Sequence, residues 1–480
     1  MGHTYSAHHL AQLTHGRGEV LNGDGALVVL KALLQSGAAY FGGYPGAPTS
    51  NLIDVMASAY EPVLKPMGIY FEASGSEANA AALLKASIHH PIRGAVNWKV
   101  VGTNVAADAL AHISSSGVTG GALVIVGEDY GCNSTIVAEE TLPYAMKSTM
   151  TVFDPKGDLQ HLADMVEHAF AISEASQMVS IVLLRTRVGN LRGTIRCKDN
   201  VPPPISTLRP LEQIRHDMSR LPIPPYTQQQ ERAKAEVRLP AARDYIRRHR
   251  LNELRPGSDR EVGIISHGML LNTTLRCLYL MGLADLAGAS RIPILNLHVL
   301  HPLVPDELVA FMRDKKAVLL VEEGMPPLLE EQIRAAAQRA KLSTEIFGKE
   351  VLSLTGEYTP EVVLMGLGDF LGEVERLRVA VPALVTAPAG PAVVGAGRGA
   401  APAVVAPSRV TGAPLVHPAE PAASPGLSAG RPPLPPRTES SAGWSGAGGA
   451  AAARARAEVV LLHTQLAHSF LEHPVAKRTA

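Results

Sequence analysis

Tyr44-Pro45-Gly46-Ala47-Pro48-Thr49-Ser50, Ser76-Glu77-Ala78-Asn79-Ala80-Ala81 and Lys99-Val100-Val101-Gly102-Thr103-Asn104-Val105-Ala106-Ala107-Asp108 are the three segments whose reading decides the fold. Each follows a short apolar run (38–43, 69–72 and 95–98) and opens into a helical pattern, so each is a strand-to-helix connection. Strands that alternate with helices imply a parallel sheet covered on both faces. Ligands of such sheets sit outside the carboxyl ends of the strands, which is where all three connections fall.

Outward from there the pattern continues. A helix is expected over 26–35 and further strands over 122–127, 150–153 and 180–185. An amphipathic helix over 158–174 gathers Leu159, Leu162, Val166, Ala169 and Phe170 on one face. A second α/β unit has strands expected at 262–267, 294–298 and 318–322, and helices at 270–281, 305–312 and 328–340. Gly268 allows a tight turn after the first of these strands. Between the two units lies a proline-rich linker (Pro202, Pro203, Pro204, Pro222, Pro224, Pro225) that runs into charged, solvated helices over 228–255, which Pro240 should interrupt. The basic run Arg247-Arg248-His249-Arg250 reads as a solvated helix face. From about 380 to 457 the chain is dominated by Ala, Pro, Gly and Val, without Lys or Asp, a composition that cannot bury enough apolar surface to fold. A short helix at 457–471 is the one element expected beyond it. The expectation is α/β: an extension (1–19), a first parallel-sheet three-layer domain (20–197), a linker (198–258), a second such domain (259–376) and a disordered low-complexity tail (377–480).

Composition narrows the function. With 480 residues and a formal net charge of zero, nothing suggests wholesale electrostatic binding to nucleic acid. Cys132, Cys197 and Cys277 form no CxxC pair, and a four-thiolate iron–sulfur cluster needs one more ligand than they supply. The N-terminus lacks the charged and apolar regions of a secretory signal, and no apolar run approaches the ~18 residues of a membrane span. A cytoplasmic protein is expected.

The three connections carry the candidate chemistry, each with a plainer alternative. Glu77 opens a helix of small residues (Ala78, Ala80, Ala81, Ala82). It either complements the helix dipole or offers one buried carboxylate that a ligand can approach closely. The loop at 43–50 is a ligand-facing turn, a connection capped by Thr49 or Ser50, or both. Gly102 and Asn104 present backbone and amide groups to a ligand, or cap a helix. Gly23-Asp24-Gly25 with Asn51 imitates a diphosphate-and-metal signature, but residues 18–22 make a poor strand and Asn51 lies beyond the proline loop, so it is set aside. No GxGxxG follows a strand at the spacing of a dinucleotide site.

Taken together, these motifs resemble those of the thiamine-diphosphate-dependent 2-oxoacid:ferredoxin oxidoreductases, and in particular the alpha subunits of the indolepyruvate type. The match rests on Tyr44-Pro45-Gly46, on Glu77, and on Lys99, Val101, Gly102, Asn104 and Val105 to Asp108. It continues through residues 117–126 and 169–174 and, in the second unit, through Val321-Glu322-Glu323-Gly324 and Gly348-Lys349-Glu350. The resemblance implies a pyrimidine-binding domain over 20–197 and a transketolase C-terminal-like domain over 259–376. It implies oxidative decarboxylation of a 2-oxoacid, an arylpyruvate such as indolepyruvate, to an acyl-CoA with electrons passing to ferredoxin.

Residue by residue, Glu77 would be the catalytic acid at the cofactor's aminopyrimidine. Tyr44, Pro45, Gly46, Gly102 and Asn104 would bind the cofactor with it, and Ala47, Thr49 and Lys99 would meet substrate; no residue here would ligate metal. Ala47 stands where the family usually has a threonine placed for the substrate carboxylate. The family's S-S-Q-N-E-Q-D pattern is largely lost in Cys132-Asn133-Ser134-Thr135-Ile136-Val137-Ala138-Glu139. Mg²⁺ with the diphosphate, and the iron–sulfur clusters, would belong to a partner or missing domain, with CoA as co-substrate. A beta subunit or fused gamma-type domain, ferredoxin, and a homo- or hetero-oligomer are the expected partners; no nucleic acid or membrane is. The cysteine-free tail replaces the family's cluster and diphosphate-binding parts. It has the composition that GC-rich DNA encodes out of frame, so a truncated or frameshifted chain is expected. The alternative is a non-catalytic remnant or scaffold that binds partner chains.

Overall fold

The structure is a computed structural model that describes residues 5–213 and 216–380. The tail expected at 377–480 falls almost wholly, and the helix at 457–471 wholly, outside the described residues. No helix among the described residues is long and apolar enough to cross a membrane.

The first sheet has seven strands in the order β12-β6-β7-β5-β4-β2-β3. They are β2 (Tyr40–Gly43), β3 (Tyr70–Ala73), β4 (Gly94–Lys99), β5 (Ala122–Glu128), β6 (Thr151–Phe153), β7 (Ser180–Arg185) and β12 (Val299–His301). All pairings are parallel except β12 with β6. The central strands β5 and β7 are buried at every position, as apolar runs covered on both faces should be. Leu123 and Ile125 of β5 enter one core with the helices Gly25–Gln35, Ser50–Ala59 and Leu159–Ser176. Val124 and Val126 enter another with Glu77–Leu83 and Gly102–Ser116. The connection from β2 to β3 therefore crosses one face, and that from β4 to β5 the other. This is a topological switch, and it leaves a crevice outside the carboxyl ends of β2 and β4.

The second sheet has five strands, β14-β13-β10-β11-β9. Here β10 (Val262–His267), β11 (Ile294–Leu297), β13 (Ala317–Val321) and β14 (Glu345–Phe347) run parallel, and β9 (Glu253–Arg255) is an antiparallel edge. Val262 and Ile264 face a core of their own with the Pro360–Ala380 helix, while Ile265, Val318 and Leu320 join the core that already holds Val124 and Val126. The two sheets are fused through that shared core and through β12.

Several expectations need correction. The run read as one strand at 294–298 continues through Val299-Leu300-His301, which leaves its own sheet to pair with β6. The poor strand at 18–22 does form, as β1 (Val20–Asp24), in a two-stranded ribbon with β8 (Arg192–Arg196). Asp24 caps the next helix through Leu27 N at 3.0 Å and accepts the Tyr5 hydroxyl, so the Gly-Asp-Gly segment is a cap. Pro240 breaks nothing. The helical path from Tyr226 to His249 widens into a π turn at Lys234–Arg238 just before it, which relieves the clash a proline ring makes within a helix. Nor is that segment only a solvated one: Arg238, Ala242, Tyr245 and Ile246 are buried. Arg238 caps the end of the Gly102–Ser116 helix, donating to the carbonyls of Ser114, Ser115 and Ser116.

The N-terminal segment is tied down by Lys31, which is fully buried in the Gly25–Gln35 helix. Its ammonium donates to the carbonyls of Leu13 and His15 and to Asn200 Oδ1 at 2.7 Å. Burial pulls it below the usual lysine range. Replacing Lys31 by methionine strips the His15 carbonyl and the Asn200 oxygen of their donor and should cost about 1–3 kcal/mol. Urea unfolding should show a lower midpoint at unchanged slope.

Candidate functional site

The crevice at the switch point is lined by the three connections. Tyr44 extends β2 by donating its N–H to Asn97 O at 2.9 Å, and the loop then turns away. A side chain on Gly46 would lie 2.8–3.0 Å from Cβ, Cγ and Cδ of Lys99, so the lysine stem is laid directly against the loop. Lys99, the last residue of β4, is half-buried, and among the described residues no hydrogen bond or ion pair engages its ammonium.

Glu77 is the first residue of its helix, whose N-cap Ser76 accepts from Asn79 N at 3.2 Å. It is only 7% exposed. Its carboxyl group presses on Gly102, where an added Cβ would meet Oε1 at 2.5 Å, Cγ at 2.6 Å and Cδ at 2.8 Å. No hydrogen bond from the described residues reaches it. Helix-dipole complementation accounts for a glutamate at this helix start, but not for a buried carboxylate that finds no donor while lying on a glycine of the neighbouring helix.

Not every expected residue faces the crevice. Thr49 is fully buried and donates its hydroxyl to Gly46 O at 3.0 Å, so it closes the loop from inside; neither it nor Ser50 caps the following helix through its side chain. Asn104 is exposed and its amide is taken: Nδ2 donates to Glu139 Oε2 at 2.8 Å and to Val101 O at 3.1 Å, and Oδ1 accepts from the Tyr144 hydroxyl. Tyr44, Pro45 and Ala47 remain at the rim, at least partly exposed. Sequence reading missed Asn97, buried in β4 beneath the loop, with Oδ1 unpartnered among the described residues and Nδ2 3.4 Å from Thr49 O. A polar residue inside an otherwise apolar strand was the available signal.

A second crevice, outside the carboxyl ends of β10 and β13, is filled by the protein itself. Arg185, at the end of β7, grips Asp154 with Nε–Oδ1 at 2.9 Å and Nη2–Oδ2 at 2.7 Å, ion-pairs with Glu323, and lies 4.9 Å from the centre of the Tyr130 ring. Glu323 N donates to His267 Nε2 at 3.3 Å, so the imidazole proton sits on Nδ1 and is given to Asp154 Oδ2 at 2.7 Å. Asp154 in turn lies on Gly268, whose φ of +49° and crowded Cα admit no side chain. Burial pushes the Asp154 carboxyl up, but Arg185 and His267 outweigh it and hold it at about 2. Burial likewise keeps His267 neutral, below the usual histidine range. With both imidazole nitrogens committed, His267 has no lone pair left for proton transfer. Among the described residues no group of three His, Cys, Asp or Glu is placed to hold a metal ion.

No protein-family model matches the chain. It is 26% identical over 352 residues to indolepyruvate oxidoreductase subunit IorA of Methanothermobacter thermautotrophicus, covering 72% of this chain and 54% of that protein. It is 28% identical over 345 residues to the subunit of the same name from Thermococcus kodakarensis, covering 72% and 51%. The chain spans about half the length of the curated relatives it matches. A solved 2-oxoglutarate:ferredoxin oxidoreductase from Magnetococcus marinus superposes with a TM-score of 0.57 at 16% identity, over 73% of this chain and 65% of that one, and so shares the fold. The likeness read from the three connections thus recurs in sequence and in architecture.

Proposed function

We propose that this chain is the alpha-subunit-like, pyrimidine-holding part of a thiamine-diphosphate-dependent 2-oxoacid:ferredoxin oxidoreductase acting on an arylpyruvate such as indolepyruvate. One observation carries the reading: Glu77 is a buried carboxyl group without a donor among the described residues, held against a glycine face at a switch-point crevice. A group so placed takes its missing partner from water or from a ligand that displaces it. An aminopyrimidine ring nitrogen is such a partner, and Gly102, by carrying no side chain, lets the Glu77 carboxyl group lie where it does. Bound there, thiamine diphosphate would supply the carbanion chemistry that cleaves a 2-oxoacid between carboxylate and carbonyl.

This chain's own residues would do the rest of the work on this side. Glu77 would share a proton with the ring nitrogen, and the Tyr44–Gly46 backbone would flank the ring. Lys99 would set its unpaired ammonium against the substrate carboxylate where Ala47 leaves space. Residues 20–197 would then be the pyrimidine-binding domain and 259–376 the transketolase C-terminal-like one. Diphosphate, Mg²⁺ and iron–sulfur clusters would be held by a beta subunit or another domain, with CoA and ferredoxin as the remaining reactants.

Calorimetric titration of the purified chain with thiamine diphosphate and Mg²⁺ tests the reading. The wild type should bind, and Glu77→Gln should bind about 10–100-fold more weakly, the worth of one hydrogen bond to a charged group. Equal affinity of the two proteins would remove Glu77 from the site. Absence of heat from the wild type at millimolar ligand would make the chain at best half of a site and move the titration to its complex with the chain that holds the diphosphate; absence of binding there too would favour a scaffold.

A further inference from the structure

Residues 131–140 cross from the end of β5 to the helix Leu142–Ser148, and only Thr135 and Glu140 within them are buried. Ile136 is 90% exposed, so apolar burial does not hold this segment down. Its fastenings are polar. Asp129 accepts from the N–H groups of Asn133 (3.1 Å), Ser134 (2.6 Å) and Thr135 (2.8 Å). Asn133 Nδ2 donates to Glu357 at 2.9 Å, Ser134 lies 3.2 Å from the Thr186 hydroxyl, and Glu139 holds Asn104. Glu140 is the inner peg. It is 8% exposed, its Oε1 has no hydrogen-bond partner among the described residues, and that oxygen rests on Gly324, where an added Cβ would stand within 2 Å of it.

The surroundings of this peg are crowded with charge. Glu128 faces it from β5, Tyr130 from the root of the segment, Arg185 from β7, Glu322 from the end of β13 and Lys349 from the loop after β14. The cations are occupied elsewhere. Arg185 is paired with Asp154 and Glu323, and Lys349 donates to the carbonyls of Glu322 and Gly324 and to the Tyr358 hydroxyl. An anion at Glu140 would face two buried carboxyl groups without a donor of its own; a neutral acid fits.

We propose that residues 131–140 form a strap seated by the neutral carboxyl group of Glu140, and that ionisation of this group lifts the strap and draws Glu139 off Asn104 at the mouth of the crevice. Burial, then Glu128 and Glu322, push the seated carboxyl up to about 8. The seated strap therefore keeps a proton that the lifted strap loses in the ordinary carboxylate range. Opening should gain about tenfold per pH unit between those limits and nothing further above about pH 8. This inference stands whether or not the crevice holds a cofactor.

Hydrogen exchange of the full chain between pH 6 and 9, corrected for intrinsic exchange rates, reads the opening at the amides of Asn133, Ser134 and Thr135. Wild-type protection should fall at least tenfold from pH 6 to pH 8 and then level off. In Glu140→Gln, with folding checked by circular dichroism, it should change less than twofold. Glu128→Gln, which removes one of the charges that push Glu140 up, should make the profile level off at lower pH. A flat wild-type profile, a Glu140→Gln profile as steep as the wild type's, or a Glu128→Gln profile that levels off no lower than the wild type's would each overturn the proposal. The first and third of these readings survive even if Glu140→Gln fails to fold.

Discussion

Arg185→Met should destabilise the fold by about 3–5 kcal/mol at neutral pH, the range measured when one partner of a buried ion pair is removed. Methionine matches the length of the aliphatic stem but leaves two carboxylates, Asp154 and Glu323, buried with no compensating cation, at 0% and 4% exposure. The pH dependence follows from Asp154. Its folded-state carboxyl is held down at about 2, below the unfolded value, so its contribution is complete above the ordinary carboxylate range and is lost as pH falls through about 2. Without Arg185 that hold weakens and the folded carboxyl rises, so acid relieves the variant by neutralising a stranded charge. Urea unfolding at pH 7 and pH 4.5 should show the gap between wild type and variant narrowing with acid. A cost under about 1 kcal/mol at pH 7, or a gap indifferent to pH, would mean that the junction is not a tight ion pair.

The second large effect concerns a residue with no side chain. Gly102→Ala should weaken thiamine diphosphate binding as much as Glu77→Ala does, about 10–100-fold, although it deletes no functional group. The new Cβ would fall 2.5–2.8 Å from three atoms of the Glu77 side chain, a separation that no rotamer adjustment of alanine can relieve. Glu77 must swing away. In the double variant the second substitution should add little, because both changes remove the same contact. Thermal melting should change by only a few degrees, since alanine is tolerated in a helix. Normal affinity in Gly102→Ala would show that the seat of Glu77 is looser than the structure has it.

The positions of Glu77, Gly102 and Lys99 in the fold were legible in the sequence for a physical reason. Each sits at a strand end or a helix start, and local pattern fixes such positions. The same holds for β5 and β7, whose uninterrupted apolar runs have few other fates. Thr49 and Asn104 belong to the same motifs, yet which way they turn is decided by Gly46 O, Glu139 and Tyr144 in three dimensions. Arg185, Asp154, His267 and Glu323 were invisible as a group. Their separations along the chain follow no period, and only the stacking of one sheet's strand ends on the other's brings them together. The strand β12 was hidden because an apolar run does not reveal where it changes sheets. Pro240 was misread because a π turn can absorb a proline that an ordinary helix cannot.

That change of sheets also bears on heredity. Without Val299–His301, β6 would be left as a raw edge of buried residues, with backbone donors and acceptors open to any passing strand. A genetic exchange in the proline-rich region around 198–258 could pair the first sheet with a foreign continuation only if that newcomer brought its own edge strand back to β6. The two halves of this chain are thus joined at this border by Val299–His301, and removal of the second half would leave β6 unpaired on that side.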